Sequence, residues 1–309
     1  MPDAIPGFST QLEAIDGGLA GPWGNPRNML VEQSYGGHAS IHDDGMAQGL
    51  GFRAAPVEGP THFSQLAPLG VATFGVDWLA RGCVSAHYRS PVFDGERTRA
   101  IVLPHEAGAS LVEARVVKED GTEVLQATLS LGAPLRETIV GRRFAAIVAP
   151  AERRILSEVE PGMRSPREAV TMPFDRAMGA LYPFSLQQKL NVITEPSPWY
   201  DPATAESSPW GEAVIPFEMI SVLCQATAAE HPFPVAKDAI GLFADQEIEV
   251  IDGPLFVGRA YEVEREVVGL SGSRRTESLW ISTQVYDAGS NRVRATMLLN
   301  QAYLKESIA

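Results

Sequence analysis

The segment from Val214 to Ala228, ValIleProPheGluMetIleSerValLeuCysGlnAlaThrAla, restricts the possible folds more than any other part of the chain. Read as a helix it is apolar nearly all round, and such a helix must be buried. Pro216 suits its first turn. Strand-like runs follow at 246–251, 260–268, 278–286 and 293–303, punctuated by Gly253-Pro254 and by the turn signal Asp287–Asn291. An earlier stretch repeats the plan. Between Thr61 and Arg81, residues Phe63, Leu66, Ala67, Gly70, Val71, Phe74, Trp78 and Leu79 fall at helical spacing. Pro68 lies among them and is expected to start or kink the helix, because it lacks an N–H. Runs at 83–90, 97–103, 110–117 and 124–131 follow, with Glu119-Asp120-Gly121 as a hairpin turn. The hairpins Val112–Ser130 and Ile281–Gln301 look like one element used twice. A buried helix followed by long strands has one economical solution, a sheet wrapped around the helix. Two such units can join edges and hide one from solvent in each. The expectation is an α+β fold with two antiparallel sheets, each wrapped around a central helix.

At 309 residues the chain is long enough for two domains. The reading divides it into residues 1–135, a connector at 136–168 and residues 169–309. The connector carries Arg136, Arg142, Arg143, Arg153 and Arg154, which suit either a phosphorylated ligand or a solvated surface. The net charge of −13 disfavours nucleic acid as a partner. The two cysteines, Cys83 and Cys224, are far apart in sequence, so neither a disulfide framework nor a cysteine zinc site is expected. No run approaches the ~20 apolar residues of a membrane span, and the N-terminal stretch has no signal-peptide pattern. A cytoplasmic protein without membrane contact is the expectation.

Candidate chemistry concentrates in residues 34–64. His38, His42, Asp43 and Asp44 lie within seven positions, and either aspartate could cap a helix through Met46 or Ala47. Downstream, Gly59, Pro60 and Thr61 stand at the entry of the first long helix. Free amides at a helix N-terminus can polarise a carbonyl oxygen, which is how an oxyanion hole works.

The run Ile41-His42-Asp43-Asp44, then Ala47, Gly51-Phe52 and Pro56-Val57-Glu58-Gly59, resembles the MaoC-like hydratase pattern of the hotdog-fold superfamily. The paired plan extends that resemblance more loosely over most of the chain as a double hotdog. The resemblance implies an (R)-specific enoyl-CoA hydratase or 3-hydroxyacyl-CoA dehydratase. It would need no metal or redox cofactor, coenzyme A or an acyl carrier being part of the substrate. His42 would be the acid/base and Asp44 would orient it or cap the following helix. Amides around Gly59 would form the oxyanion hole, with Pro60, Thr61, Tyr35 and His38 binding substrate. A homodimer paired through a sheet edge is also implied. The family's catalytic Asp, five residues before the His, corresponds to Gly37, and its Asn corresponds to Ala39. His38, Asp43, Glu58 and Tyr35 are nearby in sequence as substitutes. Two further readings remain open. Glu218 on the second helix would serve a thioesterase, and the missing Asp would suit a non-catalytic acyl-CoA binder. The second half holds one histidine, His231, read as lying in a loop.

Overall fold

The structure is a computed structural model describing residues 5–35, 38–133, 135–193 and 195–308, with the backbone alone at residues 34, 35, 38, 39 and 135. The first half contains strands β1 (Glu13–Ile15) and β2 (Gly18–Ala20), a hairpin of β3 (Ser34–Tyr35) and β4 (His38–Ala39), and helix α1 (Asp44–Gly49). The central helix α2 (His62–Phe74) and the one-turn α3 (Trp78–Arg81) lead into β5 (Gly82–Tyr88), β6 (Thr98–Val102), β7 (Leu111–Lys118) and β8 (Glu123–Leu131). Then come α4 (Ile139–Ala145), β9 (Glu168–Thr171), α5 (Leu186–Leu190) and the second central helix α6 (Phe217–Gln225). Four long strands close the chain: β10 (Gly241–Val250), β11 (Ala260–Gly272), β12 (Thr276–Asp287) and β13 (Val293–Leu304).

The strands form one 11-stranded sheet in the order β1-β2-β6-β7-β8-β5-β10-β13-β12-β11-β9. Outward from the centre, β5-β8-β7-β6-β2 on one side answers β10-β13-β12-β11-β9 on the other. The repeat read from the two hairpins is therefore a mirrored order of equivalent strands. The two expected sheets join at an edge into one: β5 and β10 pair antiparallel, with Val84 opposite Ile248, and make the sheet continuous. Kept apart, each of these strands would expose a row of unpaired backbone groups.

Both hairpin turns form where the turn residues place them. Gly121 and Gly289 have φ of 83° and 71°, a left-handed conformation that costs glycine little. Pro68 does not start α2, which begins six residues earlier at His62. The helix runs on to Phe74 and stops at Gly75, because burial of Leu66 and Leu69 on either side of Pro68 outweighs one missing backbone bond. Pro216 stands one place earlier than expected, as the N-cap of α6 in an extended conformation (ψ 148°).

The two central helices pack against each other inside the sheet, and every residue of α6 is buried. The Trp78 ring, at the start of α3, stacks on Phe217 at the start of α6, with centroids 4.5 Å apart. At the seam between halves lies a buried polar knot. Asp245, fully buried, accepts from His87 Nδ1 at 2.7 Å, Arg143 Nε at 2.5 Å and Asn300 Nδ2 at 2.7 Å. Part of the connector's basic cluster is thus structural: Arg143 serves the seam, and Arg142 and Arg153 donate to the carbonyls of Glu137 and Val159. Among the described residues no helix is long and apolar enough to cross a membrane.

Candidate active site

His42 sits between β4 and α1, on a loop fastened at several points. Its neighbour Ile41 is buried in a small cluster with Ala47 and, from the second half, Ile240 and Leu304. The His42 N–H donates to Ser40 Oγ at 3.1 Å, and Asn28 Nδ2 donates to the His42 carbonyl at 2.9 Å. The ring is held by Nδ1, 2.7 Å from the carbonyl oxygen of Pro56. A carbonyl can only accept, so Nδ1 carries the proton and Nε2 keeps its lone pair. Burial lowers the pKa of His42 below the ordinary 6.5, against a smaller upward pull from the Pro56 bond and Glu58. The ring is therefore a neutral base at pH 7.

The two aspartates divide their work differently from the expectation. Asp43 is the cap of α1, its Oδ1 accepting from Met46 N at 2.9 Å. Asp44 is exposed and accepts instead from Ala55 N at 2.7 Å. It neither caps α1 nor bonds the His42 ring. Its reach across α1 fixes the residue just before Pro56, whose carbonyl holds that ring.

Pro56 to Thr61 form the entry to α2. Gly59 begins a 3-10 turn that runs directly into the helix, and among the described residues its N–H has no bonding partner. A Cβ at this position would lie 2.6 Å from Cε1 of Tyr88, so only glycine lets the tyrosine ring cover the turn. Tyr88 in turn donates to Gln246 Oε1 at 2.9 Å, and Gln246 donates to Ser221 Oγ on α6 at 2.6 Å.

His42, Glu58, Gly59 and Pro60 line a cavity of about 860 Å3 that continues into the second half along Val222, Phe243, Leu279 and Ile281. Exposed Arg89, Lys237 and His231 line its solvent side. This combination of an apolar bed with a few convergent polar groups is typical of a small-molecule site. Thr61, expected to bind substrate, is absent from the lining. It is buried and bonded to Lys189 Nζ at 2.8 Å. The side chains of Tyr35 and His38, and all of Gly37, lie outside the described residues.

A cluster of charges lies beneath the turn. Lys189 on α5 is buried and donates to Glu58 as well as Thr61, while Glu218 Oε2 on α6 is 3.8 Å from its Nζ. Burial alone would lower the pKa of Lys189, but Glu58 and Glu218 together raise it, so it stays charged. Burial pushes Glu218 up to about 8 against the pull of Lys189, so it is protonated at neutral pH. Glu218 faces this cluster and does not line the cavity, which removes the candidate thioesterase carboxylate from the substrate space. His62, at the start of α2, is buried and held neutral by that burial, its pKa lowered to about 4. Lys189 gave no sign of itself in the sequence. SerLeuGlnGlnLysLeu reads as an ordinary capped surface helix, and Ser185 and Gln188 do form its capping box. Among the described residues no group of three or more His, Cys, Asp or Glu could hold a metal ion.

With the geometry in hand, the fold can be placed: it is an α+β fold of hotdog type, related to the double hotdogs. The chain is similar to a MaoC domain protein assigned as a dehydratase from Chloroflexus aurantiacus J-10-fl, with a TM-score of 0.58 and 13% identity over 96% of this chain and 94% of that one. It is also similar to a conserved hypothetical protein of Mycobacterium tuberculosis with a double hotdog fold, with a TM-score of 0.55 and 14% identity over 96% of each chain. At these identities the likeness concerns the fold alone. No family model matches the sequence, and no curated protein matches it.

Proposed function

We propose that this chain is a hydro-lyase that adds water across the double bond of a trans-2-enoyl thioester, or removes it from a 3-hydroxyacyl thioester. The observation that carries the reading is the placement of His42 and the Gly59 turn on one cavity with a long apolar extension. A neutral imidazole with Nδ1 tied to Pro56 offers Nε2 to a water molecule. Nε2 takes a proton from that water as its oxygen attacks the β-carbon, and the electron pair of the double bond moves toward the thioester carbonyl. The unpartnered Gly59 amide is suited to the resulting enolate oxygen, which develops charge only during the reaction. The imidazolium returns that proton to the α-carbon, which completes the addition and restores the neutral ring. In the reverse direction the neutral ring takes the α-proton and delivers it to the departing hydroxyl. The apolar walls from the second half suit the acyl chain, and Arg89 and Lys237 on the solvent side suit an anionic carrier such as coenzyme A.

A thioesterase would need an activated water or carboxylate at the carbonyl carbon, and Glu218 is turned away from the cavity. The deciding experiment follows the enoyl-thioester absorbance with trans-2-enoyl-CoAs of C4 to C12 chain length, together with a free-thiol assay. Loss of absorbance with no thiol release is expected. Thiol release would assign a thioesterase, and binding with neither signal would assign a non-catalytic acyl-CoA binder.

A further inference from the structure

The segment between β9 and α6, residues 172–216, stands outside the repeated helix-and-sheet plan, yet it sends a cation into the first half's site. Lys189 is 1% exposed. Its ammonium donates to Glu58 and to Thr61, the two residues that bracket Gly59 and Pro60. The same turn is closed by the Thr61 N–H on the Glu58 carbonyl at 3.2 Å and by the Thr61 hydroxyl on Glu58 Oε1 at 3.3 Å. Upstream, Pro56 holds the ring of His42. One buried cation therefore pins both ends of the turn that carries Gly59.

We propose that Lys189 is a positioning residue for the first-half site: it clamps the turn that presents the Gly59 amide and, with Glu58 on the cavity that His42 also lines, forms a pair of opposite charges. The inference rests on the reading of His42 and Gly59 as the reacting groups. A buried ion pair is often no better for stability than packed apolar side chains, so its use here is geometric and electrostatic. A carboxylate beside the imidazole stabilises the imidazolium formed when His42 takes a proton. A lysine behind that carboxylate keeps the ring neutral beforehand.

The charged groups acting on the His42 ring are Glu58, which favours its protonated form, and Lys189, which opposes it. Asp43 and Asp44, on the adjoining helix, are engaged by the amides of Met46 and Ala55. Lys189 faces Glu58, Glu218 and the Phe184 ring 5.5 Å away. Glu195 and Glu58 both act on Glu218. Tyr88 and Tyr182, kept neutral by burial, complete the surroundings of Glu58.

The test titrates the His42 ring by NMR in the full chain without substrate. Glu58→Gln keeps Lys189 beside Thr61 and Glu218, and is expected to lower the His42 midpoint by about half a pH unit or more. Adding Lys189→Met removes the opposing charge, and the double variant is expected to recover most of that shift. Amide exchange at Thr61 in the double variant is expected to quicken at least about tenfold as the clamp is lost. An unmoved midpoint in Glu58→Gln, a double variant that titrates like the single one, or unchanged exchange at Thr61 would overturn the proposal. None of these signals depends on turnover. An inactive wild type would overturn the hydro-lyase reading while leaving the charge pair and the clamp standing or falling on their own results.

Discussion

His42 and Gly59 carry separable contributions, and substitutions can tell them apart. His42→Ala removes the base while leaving Ile41 and Ala47 in their packing cluster. Turnover should fall by about 10²- to 10⁴-fold with an unchanged melting temperature, which steady-state kinetics and thermal unfolding check together. Gly59→Ala puts a methyl group 2.6 Å from the Tyr88 ring and forces the turn to shift. A loss of about 100-fold in kcat is expected, the usual effect of a lost oxyanion donor. The pH dependence has a definite sign. His42 must be unprotonated to act as a base, and its pKa lies below 6.5. The acid limb of kcat/KM for hydration should therefore fall below pH 6.5, and a limb above that value would point to another group. At this scale the sequence was partly legible. The resemblance around Ile41 to Gly59 singled out His42, and the helix-entry argument singled out Gly59. It could not separate Asp43, the cap, from Asp44, the bracket on Ala55, because one residue's difference in phase decides which carboxylate meets which amide. Lys189 was beyond reach, since its partners are 128 and 131 residues away in sequence.

Among the elements, α2, α6 and the long strands were readable because burial leaves its period in the sequence. In β7, Val112, Ala114 and Val116 point inward between exposed neighbours. In α6 every residue is buried, and the sequence is apolar to match. Short edge strands such as β1 and β9 carry too few residues to show a period. The seam between β5 and β10 was illegible for a different reason, since nothing in either strand names its partner. Its energetics rest on Asp245, which three donors surround. Asp245→Ala leaves His87 and Asn300 without that acceptor in a buried place, and should cost about 3 kcal/mol in denaturant unfolding. Asp43→Ala should cost about 1 kcal/mol, the usual value of a helix cap.

For the molecule as a whole, two buried groups at the junction of the central helices make stability depend on pH in opposite directions. His62 titrates near 4 in the fold and near 6.5 when unfolded. The unfolded chain binds the extra proton, so stability is lost as pH falls from about 6.5 to 4. Glu218 titrates near 8 in the fold and near 4.5 when unfolded. Here the folded chain keeps the extra proton, so stability declines as pH rises from about 4.5 to 8. Melting curves across this range should show His62→Gln flattening the acid side and Glu218→Gln the alkaline side. His62 opens α2 and Glu218 lies in the first turn of α6, the two helices that pack together, and the cavity is lined from both halves, so fold and site rest on the same packing. The most direct test of the chemistry assigned to that site is turnover of a trans-2-enoyl-CoA in ¹⁸O-labelled water, followed by mass spectrometry. The label should appear on the β-carbon of an intact thioester, and His42→Ala should slow its incorporation by about 10²- to 10⁴-fold. Label in a released carboxylate, or the same incorporation without His42, would contradict the account.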